Sequence, residues 1–245
     1  MSTDARPLTI ATPAGALAAV LHVPAASPAP SVICCHGLMS SKDSEKLATL
    51  CRMLADAGFN AWRFDFGGCG ESTAAFEISL LHSRSRDLRN IFRYVEKLPE
   101  HRGTFGLFGS SLGGYLSFQM AAENPAVNAV ATLAAPFDLA RIHLEPGEGE
   151  RYLNSLETGL ALGEPASLAH LPEGRVKNAL VMHGKNDETV PWRQAEEVFG
   201  KAGNPRNLMV FDGADHRFLD PVQREQALRA AVQWFQSCLA KQQSL

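Results

Sequence analysis

Ser111 lies in Gly109-Ser110-Ser111-Leu112-Gly113, a G-x-S-x-G pattern. The run Thr104–Phe108 before it reads as a strand, and Leu112–Ala122 after it reads as a helix ending ahead of Pro125. A serine on such a strand-to-helix bend projects its Oγ from the sheet, and the flanking glycines remove side chains that would collide in the turn. The helix start adds free N–H groups beside developing negative charge. This arrangement suits nucleophilic attack on an acyl carbonyl. Ser110 competes for the role, but the glycines do not flank it in the same way. The motif is short, and its strand–turn–helix setting is what gives it weight.

A serine hydroxyl needs a base to take its proton. Of the eight histidines, His216 sits in Gly213-Ala214-Asp215-His216-Arg217-Phe218, a loop between a strand and the final helix. There an imidazole can reach over the end of the sheet. His36 and His183 each precede a glycine at a strand end and suit turns better. His22 falls in an opening hairpin, and His82, His101 and His170 fall in polar connections. The base in turn needs a carboxylate to fix its tautomer. Asp187 follows the strand Asn178–Met182 in His183-Gly184-Lys185-Asn186-Asp187-Glu188 and is the expected acid. Asp138, after the strand Val127–Leu133, is the main alternative, with Glu188 and Asp215 behind it. An Asp before a helix is also a common N-cap.

Acyl transfer further requires donors for the oxyanion. Leu112, next after the nucleophile, supplies one backbone N–H. The second is expected from Leu38, in His36-Gly37-Leu38-Met39 after the strand Ser31–Cys35. The side chains of Leu38 and Met39 then form an apolar wall. Phe137, Tyr152, Trp192 and Phe218 are further candidates for the substrate pocket, although aromatic residues near loops are as often core. Thiol roles for Cys34, Cys35 and Cys69 have no histidine placed to serve them, and buried cysteine is commonly packing.

The elements that must position these groups alternate along the chain. Leu8–Ala11 and Leu17–Val23 flank the turn Thr12-Pro13-Ala14-Gly15 and predict a hairpin. Helices are expected at Lys46–Ala57, Ser85–Leu98, Pro191–Gly200 and Pro221–Ala240, and further strands at Asn60–Phe64 and Asn207–Phe211. Strands separated by helices require crossovers and hence a mostly parallel sheet. One segment, Asp138–Arg175, has no clear strand and contains Pro146, Gly147, Gly149 and Pro165. It is expected to be an insertion with a functional role within a single domain spanning 1–245.

Composition limits the alternatives. With 245 residues, 45% of them hydrophobic and 20% charged, the chain is neither disordered nor fibrous. A net charge of −3 gives no electrostatic reason for a nucleic-acid partner. No apolar run reaches the roughly 18–20 residues of a membrane span, and Met1–Pro7 lacks the character of a signal peptide. The five cysteines (Cys34, Cys35, Cys51, Cys69 and Cys238) form no CxxC, so neither a disulfide framework nor a zinc site is expected. Reduced thiols in the cytoplasm, with no membrane association, are the expectation.

Four pieces of the sequence together resemble the α/β-hydrolase superfamily: Cys35-His36-Gly37, then Asp65-Phe66-Gly67-Gly68-Cys69-Gly70-Glu71-Ser72, then the serine turn, then Asp187 and His216. The second piece is similar to the D-x-x-G-x-G-x-S loop that packs below the active site in that superfamily. The resemblance runs from about Leu8 to Leu239 and looks closest to small cinnamoyl/feruloyl-esterase and S33 peptidase-like serine hydrolases. It implies an α/β-hydrolase fold with a mostly parallel eight-stranded sheet, a short cap at 138–175, and cofactor-free, metal-free two-step hydrolysis by Ser111, His216 and Asp187. The expected substrate is a small-molecule carboxylic ester with a small to medium acyl group, aromatic ones included. Thioester hydrolysis, aminopeptidase activity with Glu145, Glu148 and Glu150 holding an ammonium, and a non-catalytic ligand receptor are the alternatives. A homodimer is compatible with the sequence.

Overall fold

The computed structural model describes residues 4–75, 79–144 and 150–239. In chain order the elements are β1 (Asp4–Thr12), β2 (Gly15–Val23), β3 (Ala29–Cys35), α1 (Glu45–Asp56), β4 (Asn60–Phe64), α2 (Leu80–Val95), β5 (His101–Ser110) and α3 (Leu112–Glu123). Then follow β6 (Val127–Leu133), α4 (Glu150–Ala161), β7 (Ala179–Gly184), α5 (Arg193–Lys201), β8 (Arg206–Phe211) and α6 (Pro221–Leu239). The strands form one eight-stranded sheet in the order β1-β2-β4-β3-β5-β6-β7-β8. The hairpin β1–β2 and the β2–β4 pair are antiparallel, and every pair from β4 to β8 is parallel.

Parallel strands covered on both faces read as continuous apolar runs. β3 is buried along its whole length. Its side chains alternate across the sheet: Val32 and Cys34 pack with Leu47, Leu50 and Leu54 of α1 and with Ala231 and Phe235 of α6. Ile33 and Cys35 face the opposite layer, where Leu88 and Ile91 of α2, Leu116 of α3 and Val198 of α5 close the core. The sheet therefore has helices on both faces, and all the loops at the C-terminal ends of its central strands converge on one edge.

α2 begins at Leu80, five residues before the start expected from apolar spacing. Ser79 caps it, its side chain accepting from the His82 N–H. The turn that follows carries Ser83, Arg84 and Asp87, which are polar yet buried. A pattern search for apolar residues cannot see such a face.

The insertion between β6 and β7 leaves and re-enters through a narrow neck. Asp138 and Ser167 form an antiparallel bridge, with the Leu139 N–H donating to Ala166 O at 2.8 Å and the Leu168 N–H to Phe137 O at 2.8 Å. Leu139 and Leu168 are buried beside it. Beyond the neck lies α4, whose buried face is Ser155, Leu156 and Gly159. Glu145 and Glu148 lie outside the described residues. Among the described residues no helix is long and apolar enough to cross a membrane.

Candidate active site

β5 delivers Ser111 at its C-terminal end, and α3 starts one residue later. The serine adopts φ 54° and ψ −125°, a conformation that L-residues rarely hold. The turn is tight because a Cβ on Gly109 would collide with the Gly113 carbonyl, and one on Gly113 with the Cys35 carbonyl. The Ser111 N–H donates to Leu133 O at 2.9 Å, which ties the bend to β6. Leu112 opens α3, so its N–H has no acceptor within the helix.

His216, in the loop after β8, places Nε2 3.0 Å from Ser111 Oγ and Nδ1 2.8 Å from Asp187 Oδ2. The carboxylate can only accept, so Nδ1 carries the proton and Nε2 is left to accept from the serine hydroxyl. Asp187 is itself held by the Thr189 N–H at 3.0 Å and the Val190 N–H at 2.7 Å. Burial alone would raise its pKa. Hydrogen bonds from His183 and His216 outweigh that and bring it down to about 2.

His183 is the functional neighbour that sequence reasoning assigned to a turn. Its Nε2 lies 2.9 Å from Asp187 Oδ2 and 3.0 Å from Val190 O, both pure acceptors, so Nε2 is the protonated nitrogen. It stands four residues before Asp187 on β7, and the strand-to-loop bend folds the carboxylate back onto it. Asp138, the alternative acid, instead caps a 3-10 turn through Ala140 N–H and pairs with Arg141. Asp215 accepts from the Leu219 N–H at 3.1 Å and braces the histidine loop.

The loop after β3 lies directly against the nucleophile. A Cβ on Gly37 would stand 3.1 Å from Ser111 Cβ and 3.7 Å from its Oγ. Leu38 and Leu112 both line the cleft in front of Ser111. Behind this loop, Asp65 accepts from the Lys42 N–H at 2.7 Å and the Glu71 N–H at 2.9 Å, while Asp87 of α2 accepts from the Gly67 N–H at 2.8 Å. The Asp65–Ser72 loop thus forms a hydrogen-bonded floor under the site.

The cleft holds about 500 Å³. Its wall is largely aliphatic: Leu38, Met39, Leu80, Leu139, Ile142, Leu144 and Leu156 line it together with Ser111. Of the aromatic candidates, none is in this lining. Phe137 packs on the core at the neck, its N–H donating to Gln194 Oε1 at 2.8 Å. Tyr152 turns to Cys69 Sγ at 3.6 Å and the Arg84 guanidinium at 5.9 Å. Trp192 caps α5 with Arg193 over its ring, and Phe218 is fully buried against Phe211. Phe137, Tyr152 and Phe218 pack on the core, and Trp192 stacks under Arg193, a choice that aromatic character alone does not make.

The mouth is charged. Lys46, Arg217 and Arg224 line it, with Glu45 paired to Arg224 at 2.9 Å. Burial and the repulsion of Arg224 and Arg217 outweigh the attraction of Asp215 and bring the Lys46 ammonium down to about 8. All five cysteines are free thiols. Burial pushes Cys35 up to about 12 and raises Cys34 as well, so neither offers a thiolate. Among the described residues no group of His, Cys, Asp and Glu is placed to hold a metal.

A sheet of this order with a serine on the bend after β5, a histidine after β8 and a carboxylate after β7 defines an α/β hydrolase. The model of the family "serine aminopeptidase, S33" matches residues 26–160, and the chain belongs to that family. It is 27% identical over 168 residues to the uncharacterized protein YfhR of Escherichia coli K12, a match covering 66% of this chain and 55% of YfhR. The chain thus spans about half the length of that relative. The mouse mitochondrial palmitoyl-protein thioesterase ABHD10 is 24% identical over 211 residues, covering 77% of this chain and 69% of the relative. Among solved structures, Est1E from Butyrivibrio proteoclasticus with bound ferulic acid superposes with a TM-score of 0.75 at 21% identity, covering 95% of this chain and 99% of Est1E.

Proposed function

We propose that the protein is a serine hydrolase that cleaves carboxylic esters of small to medium acyl groups through Ser111, His216 and Asp187. The observation that carries this reading is the unbroken path Ser111 Oγ, His216, Asp187, at 3.0 and 2.8 Å, on the floor of an aliphatic cleft. His216 Nε2 takes the serine proton as Oγ bonds to the ester carbonyl carbon. The N–H groups of Leu38 and Leu112 receive the oxyanion. The carbon–oxygen bond to the leaving group then breaks, and His216 returns the proton to that oxygen. Water, deprotonated by His216, releases the acid and regenerates the serine. The segment 138–175 serves as the cap over the acyl site. Five free thiols fit a reducing compartment such as the cytoplasm.

The test is turnover of a p-nitrophenyl ester series, from acetate to laurate plus a hydroxycinnamate ester, with Ser111→Ala alongside. Serine-dependent turnover with a chain-length optimum is expected, and no turnover of any ester by a protein whose Ser111 also resists a fluorophosphonate would overturn the reading. Ile142→Trp, which narrows the aliphatic wall at a half-buried position, should lower kcat/KM for laurate by about tenfold and leave acetate within about twofold. Equal losses on both would show that the acyl chain does not lie there.

His183→Phe removes the second donor to Asp187 while keeping a ring of similar size. A hydrogen bond to a charged group is worth roughly 1.5–3 kcal/mol, so kcat should fall about ten- to a hundredfold with KM little changed. An unaltered kcat would reduce His183 to a packing role.

Thioester hydrolysis is the second reading. The activity named for ABHD10 supports it, and so do Lys46 and Arg217 at the mouth, which suit an anionic leaving group. The same charges disfavour an aminopeptidase, because a substrate ammonium would meet three cations and one paired carboxylate. Glu150 is not in the cleft lining.

A further inference from the structure

Arg84 is a fully buried cation in the core, with 0% of its surface exposed, as are the carboxylates Asp65 and Asp87. Among the described residues no carboxylate stands within ion-pair distance of it. Its Nη1 donates to Gly37 O at 3.2 Å, its Nη2 reaches Cys69 Sγ at 3.5 Å, and Nε has no partner. The guanidinium lies over the Phe66 ring at 4.8 Å. A cation with no carboxylate in direct contact is costly in the interior, and burial drives its pKa down against the pull of neighbours that include Asp87. Its strongest oxygen contact is a single backbone carbonyl, so that carbonyl is where its effect is delivered.

Gly37 O has a second donor. His36 Nε2 accepts from the Phe66 N–H at 3.2 Å, so the proton of this neutral imidazole sits on Nδ1, which donates to Gly37 O at 2.7 Å. Two donors, one of them charged, therefore converge on one carbonyl. The peptide that carries this carbonyl also carries the Leu38 N–H, and in a trans peptide the two point in opposite directions. Fixing the C=O towards Arg84 fixes the N–H on the opposite side of the peptide, away from Arg84. Drawing electron density to the oxygen also makes that N–H a stronger donor.

We propose that Arg84 is a positioning residue for the oxyanion site, orienting and polarising the Gly37–Leu38 peptide from behind so that the Leu38 N–H is set for the transition state. This rests on the reading of Leu38 as an oxyanion donor. It gives the buried guanidinium a purpose that core packing does not, because an apolar side chain would fill the same space without the desolvation cost.

The test uses the full chain with the best p-nitrophenyl ester, comparing Arg84→Gln, Arg84→Lys and Leu88→Ala. Leu88 is equally buried one helical turn along α2 and is a control for loosening of the helix. Loss of a whole oxyanion donor costs about 10²–10³ in turnover, so weakening one should cost Arg84→Gln about ten- to a hundredfold in kcat, with KM within about twofold. Arg84→Lys, which keeps a charge but cannot reach in the same fork, should fall in between. Inhibition by a boronic acid, which forms a tetrahedral adduct with the serine, should weaken by the same factor as kcat/KM, and labelling by a fluorophosphonate should still go to completion. If Arg84→Gln does not fold, Arg84→Lys decides alone through the same split. The proposal is overturned if the folded variants keep kcat, if the loss appears in KM, or if Leu88→Ala loses as much. Absence of turnover and labelling in the unaltered protein would instead overturn the hydrolase reading.

Discussion

Ser111→Ala should lower kcat by about four to six orders of magnitude, and combining it with His216→Ala should lower it no further. The two side chains share one proton at 3.0 Å, so removing either disables the same step. What survives is the cleft and the Leu38 and Leu112 N–H groups, which under the proposed function would hold substrate without attacking it. Steady-state rates normalised to correctly folded protein provide the measurement. A loss below about tenfold, or losses that multiply in the double variant, would mean that the reaction does not run through this pair. Because the substitution removes one oxygen from a backbone already held at φ 54°, thermal stability should hardly change.

The second large effect is on stability. His36 and His22 are both almost wholly buried. Burial, helped by the charge of Arg84, lowers His36 to about 3, despite its hydrogen bond to Gly37 O. Burial, then Arg63 and Arg52, lowers His22 to about 4. Both bind protons more weakly folded than unfolded, where the value is 6.5. Their contribution is therefore complete above about pH 6.5 and is lost as the pH falls towards 4 and then 3. Between about pH 6.5 and about pH 4.5 the two should cost the fold about 4–6 kcal/mol, a large share of the 5–15 kcal/mol that a domain has. Urea midpoints measured across that interval should drop steeply, and His22→Gln should remove about half of the slope. A flat profile would refute the assignment. Asp187 acts in a separate, more acidic window: its depressed pKa contributes stability above about pH 4 that is lost as the pH falls through about 2.

The frame of the molecule is legible in its sequence because a doubly covered parallel sheet writes itself as apolar runs. β3, β6 and β7 are of this kind, and the expected and observed bounds agree to within two residues for all three. The residues of the triad geometry are legible for another reason: their turns need glycine, and the order of elements brings the three loops to one end of the sheet. The remainder was hidden where polar residues are buried. Arg84 and Asp87 carry charges that ordinarily mark a solvent face, and only their contacts with Gly37 and Gly67 beneath the cleft show why they turn inward. His183 was hidden because its partner is reached through a bend. Tyr152, Trp192 and Phe137 are not in the cleft lining, and an aromatic ring serves a core and a pocket equally well, so its type does not say which.

The neck of the insertion has a consequence for how selectivity can change. Asp138 and Ser167 are zipped together where the segment leaves and returns. What hangs beyond that clasp contributes Ile142, Leu144 and Leu156 to the cleft wall, while the serine, the histidine and the acid are all anchored to sheet ends elsewhere. The entropic cost of a longer loop between fixed ends grows only logarithmically, about 0.6 kcal/mol per doubling. If the proposed function holds, a transplanted or lengthened segment that closes the same clasp should exchange one substrate range for another and leave Ser111, His216 and Asp187 as they are. In this architecture the residues of the proposed reaction and those that line its acyl wall sit on separately anchored parts of the chain.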